Sequence, residues 1–369
     1  MKKKISFSFP NINTKYTLNL IKKTLTQGFP NEGSLTEQFE KKISKILKVK
    51  YALSTTSGTT ALYLGLKALG VGFGDEVIVP NITFPATANA VKMSGAKPVL
   101  VDVDKNDLLL DLKSVKNAIS KKTKVIIPVH ISGRGNNIIK LKKLATKYKI
   151  LILEDAAESL FSKYKNFFLG TFGKAGCFSL APNKIITTGQ GGIVVTNDKL
   201  IFSRLKYLKD QGRKKKSLGG DDFYYSEGYN FKFTDLQASL GLSQLKNLAF
   251  RKQKLKKIYN YYFNNIIQDK NFKIYKFNNE EIPLWTDVWC KNRDKLYKHL
   301  LKKNIITRKY WKPLNLSRPS NNRSDKKFKN SKALNNKLLW LPSALNLNEK
   351  DLSKICKSVN SFYRREKNA

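Results

Sequence analysis

The sequence predicts an α/β protein: a mainly parallel sheet sandwiched by helices, followed by a smaller C-terminal α/β domain. Short apolar runs recur through the first two-thirds of the chain, and amphipathic stretches of helical period separate several of them. Strands alternating with helices in this way form parallel sheets covered on both faces. Beyond about residue 245 the alternation gives way to longer helical patterns. This places a large domain at 1–245 and a small one at 246–369, within the 369 residues available.

The strand candidates, in order, are Val77–Pro80, Pro98–Asp102, Val125–His130, Leu151–Glu154, Cys177–Leu180 and Gly192–Thr196. Helical periodicity marks Thr60–Leu69, Ala86–Met93 and Ile138–Tyr148 between them. From Lys206 to Tyr225 the pattern dissolves into a Lys- and Gly-containing loop. One long helical pattern then runs from Thr234 to about Tyr262. A short strand region near Pro283–Trp289, a helix at Arg293–Lys303 and a last helix at Asn348–Tyr363 complete the small domain. A sheet of this kind exposes functional residues at the carboxyl ends of its strands.

Lys and Arg total 70 against 27 acidic residues, a formal net charge of +43. Such a field attracts polyanions, so a basic nucleic-acid-binding protein is one alternative reading. Sixty of the basic residues are lysine, spread along the chain rather than clustered, whereas phosphate readers favour the planar fork of Arg. Nucleic acid is therefore not the expected partner. No apolar run approaches the roughly 20 residues needed to span a bilayer. The basic start Met1-Lys-Lys-Lys is followed by an apolar stretch broken by Pro10, Asn11 and Asn13, so no targeting segment is expected. The cysteines, Cys177, Cys290 and Cys356, are scattered and lack metal-ligand spacing, which fits reduced thiols in the cytoplasm.

Three separated segments make joint sense around an anionic, aromatic ligand with a protonated nitrogen. In Thr56-Ser-Gly-Thr-Thr-Ala-Leu, hydroxyl residues and a glycine open a helix. Its unpaired amides and dipole favour an anion, although an ordinary N-cap explains this segment alone. In Leu151-Ile-Leu-Glu-Asp-Ala-Ala-Glu, Asp155 falls just past an apolar strand. A carboxylate there serves as a cap, a metal ligand or the partner that keeps a ring nitrogen charged. In Gly176–Gly192, Lys184 lies between a strand and a Gly-rich turn, where partial burial favours a neutral, nucleophilic amine.

Together with Phe29-Pro-Asn-Glu-Gly, Thr83-Phe-Pro-Ala-Thr-Ala-Asn-Ala90, Gly228-Tyr-Asn-Phe, Asp235-Leu-Gln-Ala-Ser-Leu-Gly and Leu341-Pro-Ser, these segments resemble the DegT/DnrJ/EryC1/StrS family of sugar aminotransferases along nearly the whole chain. The resemblance implies the aspartate-aminotransferase-like fold (type I of the transferases that use pyridoxal 5'-phosphate, PLP) and PLP as cofactor. It implies that Lys184 carries the cofactor covalently and moves the proton, and that Asp155 faces the pyridine nitrogen. Phe84 matches an aromatic stacked on the ring. Gly58, Thr59 and Ser179 match phosphate contacts. Asn230 matches a residue that reaches the phosphate from the second subunit of a homodimer with shared sites. Glu158 stands where many members carry Gln beside the ring hydroxyl, and a carboxylate there donates a hydrogen bond only when protonated.

The finer resemblance concerns the sugar. Asn31-Glu-Gly, the Ser-Gly-Arg-Gly stretch after His130 and Pro283-Leu-Trp-Thr-Asp-Val resemble members that aminate C4 of nucleotide-linked 4-keto-6-deoxy sugars, perosamine synthetases among them. L-glutamate is the implied amino donor. Within Ile306-Thr-Arg-Lys-Tyr-Trp, Arg308 and Tyr310 are expected to face the diphosphate or base, with surface charge and core packing as the alternatives. His130, with no orienting partner visible in sequence, is expected to be structural. Two rivals remain within the fold. Sugar dehydratases similar to this family lack the lysine, which Lys184 argues against; a non-catalytic regulator is the other.

Overall fold

The computed structural model describes residues 3–28, 30–135, 137–213, 223–317 and 327–367. Its strands are β1 (Tyr51–Thr55), β2 (Glu76–Pro80), β3 (Lys97–Val101), β4 (Thr123–Ile126), β5 (Leu151–Asp155), the short hairpin β6 (Lys163–Tyr164) and β7 (Phe167–Phe168), β8 (Ala175–Ser179) and β9 (Gly192–Thr196). Seven of them form one sheet in the order β1-β9-β8-β5-β4-β2-β3. The run from β8 to β3 is parallel, and β9 lies antiparallel to both of its neighbours. The central strands are buried on both faces, which is why Val77-Ile-Val and Ile193-Val-Val read as continuous apolar runs rather than alternating ones.

β1 has no counterpart among the strands expected from sequence. Tyr51-Ala-Leu-Ser-Thr carries too few β-branched residues to stand out locally, and it becomes a strand by pairing with β9, Tyr51 opposite Thr196. The helices around the sheet are α1 (Thr14–Thr26), α2 (Ser34–Leu47), α3 (Gly58–Ala68), α4 (Ala86–Met93), α5 (Leu112–Ala118), α6 (Ile138–Lys147) and α7 (Lys199–Lys209). The loop expected from Lys206 therefore begins later, after α7; its residues 214–222 lie outside the described ones. The single long helix expected from Thr234 is two, α8 (Asp235–Leu245) and α9 (Leu248–Asn265), with a break at Lys246 and Asn247.

A second sheet has the order β10-β11-β13-β12, from β10 (Phe272–Ile274), β11 (Thr286–Cys290), β12 (Arg308–Lys309) and β13 (Leu338–Leu341). It is antiparallel throughout. The remaining helices are α10 (Arg293–Lys302), the short α11 (Leu314–Ser317) and α12 (Lys329–Leu334), and α13 (Glu349–Lys367). Apolar residues of α10 and α13 pack with those of β10, β11 and β13 in one core, and Ile5 near the start of the chain bridges to Ile305 beside it. Trp285 and Trp340, both buried with rings 4.8 Å apart, belong to the core that this sheet shares with the large one. Aromatic pairs at that spacing add to the stabilisation from area alone.

Candidate active site

The carboxyl ends of β1, β2, β5 and β8 converge on a cavity of about 300 Å³, whose lining is completed by Trp285, Arg308 and Trp311. At one end Ser57, Gly58 and Thr59 begin α3. The Thr60 amide donates to the Ser57 hydroxyl at 3.1 Å, and the Ser57 amide donates to the Thr60 hydroxyl at 2.9 Å, a reciprocal cap. This fixes the helix start, where the first-turn amides have no partners within the helix. Gly58 is required by close approach: a Cβ there would stand 2.9 Å from the Cβ of Ser179 at the end of β8. Helix terminus and Ser179 hydroxyl together make a small cradle for an anion.

Asp155 ends β5 and is buried. Its Oδ2 accepts the Thr87 hydroxyl at 2.7 Å and its Oδ1 the Ala157 amide at 3.2 Å. Burial pushes the carboxyl above its ordinary range, while those two hydrogen bonds and the charge of Lys184 pull it down. A cation brought against it would favour the ionised form. Thr87 is not among the residues expected from sequence, although it lies three residues past Phe84 in a segment already singled out. Phe84 precedes α4 on the cavity wall, half-exposed, with its ring 5.7 Å from that of Trp311.

Lys184 reaches the cavity from the loop between β8 and β9. Its Nζ lies 3.5 Å from Oε1 of Glu158 and 4.9 Å from the Trp285 ring centre. Glu158 is buried, and its Oε2 accepts the Ser132 amide at 2.9 Å. Burial raises the Glu158 carboxyl; the Lys184 charge and the Ser132 amide oppose this. The lysine amine thus stands between a carboxylate and an aromatic face.

The opposite wall departs from expectation at one residue. Arg308 lines the cavity, its guanidinium 5.7 Å from the Trp340 ring centre. Tyr310 does not. Its ring is buried 4.0 Å from that of Trp340, and its hydroxyl donates to Asp287. Residues two apart share one side of an extended segment, and both of these do meet Trp340. What separates them is Asp287, which captures the Tyr310 hydroxyl in the core and leaves Arg308 alone at the cavity. Asp287 also accepts the Ser132 hydroxyl at 2.7 Å and the Trp340 indole N–H at 2.6 Å, and pairs with Arg134. Burial is the largest single influence and disfavours the Arg134 charge, but Asp287 together with other neighbours, Glu281 among them, holds the guanidinium above its ordinary value. Trp311 also lines the cavity, while its indole N–H is buried and has no hydrogen-bond partner among the described residues.

Asn230 is exposed and does not line this cavity; it bridges to Asp210 on an extended segment. His130 has a partner that is not visible in sequence: its Nε2 lies 2.8 Å from Oε2 of buried Glu154. Glu154 also accepts the amides of Gly170, Phe172 and Gly173, so the pair pins a loop and stands outside the cavity lining.

A parallel-dominated sheet whose carboxyl edge brings a loop lysine, a helix N-terminus and a buried carboxylate to one cavity defines a PLP-dependent transferase of fold type I. Solved structures agree. The putative sugar aminotransferase Spr1654 from Streptococcus pneumoniae in its PMP-form matches with TM-score 0.92 and 25% identity, covering 98% of both chains. Helicobacter pylori PseC, an aminotransferase involved in the biosynthesis of pseudoaminic acid, matches with TM-score 0.89 and 26% identity, covering 98% of this chain and 100% of its own. The chain belongs to the DegT/DnrJ/EryC1/StrS aminotransferase family, whose model matches residues 11–360. Among its relatives is the GDP-perosamine synthase of Escherichia coli O157:H7, 34% identical over 338 residues, 90% of this chain and 91% of that one. Its activity is accordingly PLP-dependent amino transfer to a keto sugar from an amino donor. No helix among the described residues is long and apolar enough to cross a membrane.

Proposed function

We propose that the chain transfers an amino group from L-glutamate to C4 of a nucleotide-linked 4-keto-6-deoxyhexose, as a perosamine synthase does. The single observation that carries the site is the Lys184 amine held beside Glu158 in a cavity that the start of α3, Ser179 and Asp155 also line. The relative named GDP-perosamine synthase supports the sugar class.

When bound, PLP supplies an aldehyde and a ring that accepts electron density from a substrate carbon. Gly58, Thr59 and Ser179 would hold its phosphate, and Phe84 would lie against its ring. Asp155 would keep a proton on the ring nitrogen, since a neighbouring negative charge favours the cationic form. Lys184 would hold the cofactor through Nζ and, as a free amine, would take up and give back a proton at that same atom. Glu158, 3.5 Å from Nζ, would keep the free amine of Lys184 in reach. Arg308 and Trp311 would receive the sugar nucleotide, the first through its charge and the second through its ring.

Two copies are proposed to share their sites, because Asn230 is exposed and lines no part of the cavity in its own chain. The division near residue 245 is proposed on the two separate sheets and the second core that the later one builds. A cytoplasmic location is proposed on the three buried free thiols. Borohydride reduction of the cofactor-loaded protein followed by peptide mass mapping tests the lysine: the tag is expected on residue 184, and an untagged peptide overturns the assignment. Mass spectrometry of products from GDP-, UDP- and dTDP-linked keto sugars with glutamate tests the substrate.

A further inference from the structure

The loop that carries Lys184 lies between β8 and β9 and belongs to neither strand, so most of its carbonyls have no ladder to join. Part of the need is met internally. The Thr187 hydroxyl donates to the Leu180 carbonyl at 2.9 Å, and the Lys184 amide to the Ala181 carbonyl at 3.0 Å. More comes from three side chains of α8 and α9 spaced seven residues apart: Gln237, Gln244 and Arg251. Seven residues is close to two helical turns, so Gln237 and Gln244 share one face of α8, and Arg251 continues the spacing past the break.

Their contacts follow the loop in order. Gln237 Nε2 donates to the Gln190 carbonyl at 2.7 Å. Gln244 grips Thr187 twice, Nε2 donating to its carbonyl and Oε1 accepting its amide at 3.2 Å. Arg251 Nη1 donates to the Ile185 carbonyl at 3.1 Å, next to Lys184, and Nη2 donates to the Asn11 carbonyl. Gln244 and Arg251 are 1% and 2% exposed, so neither is a surface residue that happens to touch the loop. No carboxylate pairs with Arg251 among the described residues, and burial alone draws its guanidinium down to about 10. A guanidinium buried without a counter-ion is a costly way to fill space, and here Nη1 and Nη2 are directed to two backbone carbonyls, while Nε has no partner among the described residues.

We propose that Gln244 and Arg251 are positioning residues for amino transfer: by fixing the backbone at Thr187 and Ile185 they hold the Lys184 amine in the cavity. The proposal rests on Lys184 being the cofactor-binding lysine. Nothing in it requires either side chain to touch cofactor or substrate.

Two conservative variants test it. Arg251→Lys keeps the charge but offers one ammonium to two carbonyls. Gln244→Glu keeps the acceptor for the Thr187 amide and removes the donor to its carbonyl. Hydrogen exchange is read by mass spectrometry on cofactor-free protein, and steady-state kinetics on loaded protein. Amides of residues 184–189 are expected to exchange about tenfold faster while Leu151–Asp155 is unchanged, and kcat to fall about tenfold with KM for the sugar nucleotide within about twofold. Borohydride tagging of the wild type is the control. An untagged wild type overturns the reading of Lys184 itself, whereas a tagged wild type with variants that match it in loop exchange and kcat overturns the positioning role. Parallel acceleration of every segment in both variants also overturns it, because the two side chains would then serve general stability.

Discussion

On the wall formed by the large sheet, Lys184, Asp155 and Glu158 keep charged groups at the cavity, and the two carboxylates are each steadied by a hydrogen bond from a neighbouring segment. On the wall formed by the small sheet, the polar groups are largely consumed among themselves. Asp287 takes bonds from Ser132, Tyr310, Trp340 and Arg134 in the core, leaving Arg308 and Trp311 at the cavity. The first wall uses its hydrogen bonds to hold reactive groups in place. The second uses them for rigidity and presents few contacts. On the roles proposed for these groups, chemistry and recognition are separable by mutation, since the two sets sit on different elements.

The largest effect belongs to the reactive wall. Lys184→Ala is expected to lower turnover by at least about 10⁴-fold, measured as aminated sugar by mass spectrometry, since both covalent binding and proton transfer are lost. Next comes the hidden support of the second wall: Asp287→Ala strands Arg134 in the core and is expected to destabilise the fold by about 3–5 kcal/mol in thermal or urea unfolding. If that variant melts like the wild type, the two walls are not built differently in the sense described. Trp311→Ala and Arg308→Ala sharpen the contrast, each raising KM for the sugar nucleotide about tenfold while the cofactor absorption spectrum stays as in the wild type.

The smallest effect is a pH dependence. Burial raises the Glu158 carboxyl above its ordinary 4.5, so in the cofactor-free protein the folded state binds more protons than the unfolded one from that value upwards. Stability then falls as pH rises through that window. Glu158→Gln removes the ionisation and is expected to raise stability by on the order of 1 kcal/mol at neutral pH, with no gain below pH about 4. A gain that is equal at both pH values would assign the effect to packing.

Much of the cavity lining is legible in the sequence because its residues fall in short local segments. The Ser-Gly-Thr turn, Asp155 after its strand and Lys184 before its glycines are each ambiguous alone, and they point to one site because all three occur in this order. What stays hidden depends on distant pairing. β1 is a strand because of β9, and Tyr310 is buried because Asp287 and Trp340 meet it from other strands. His130 gains its partner 24 residues away. The spacing of Gln237, Gln244 and Arg251 is visible, yet nothing in that period says which loop they grip.

The placement of β1 has a consequence for synthesis. It occupies the edge of the large sheet and hydrogen-bonds to β9, the last strand of that sheet in the chain. A nascent chain on the ribosome therefore carries Tyr51–Thr55 unpaired until translation has passed Thr196, and any chaperone that shields unsatisfied strand edges has that interval in which to act.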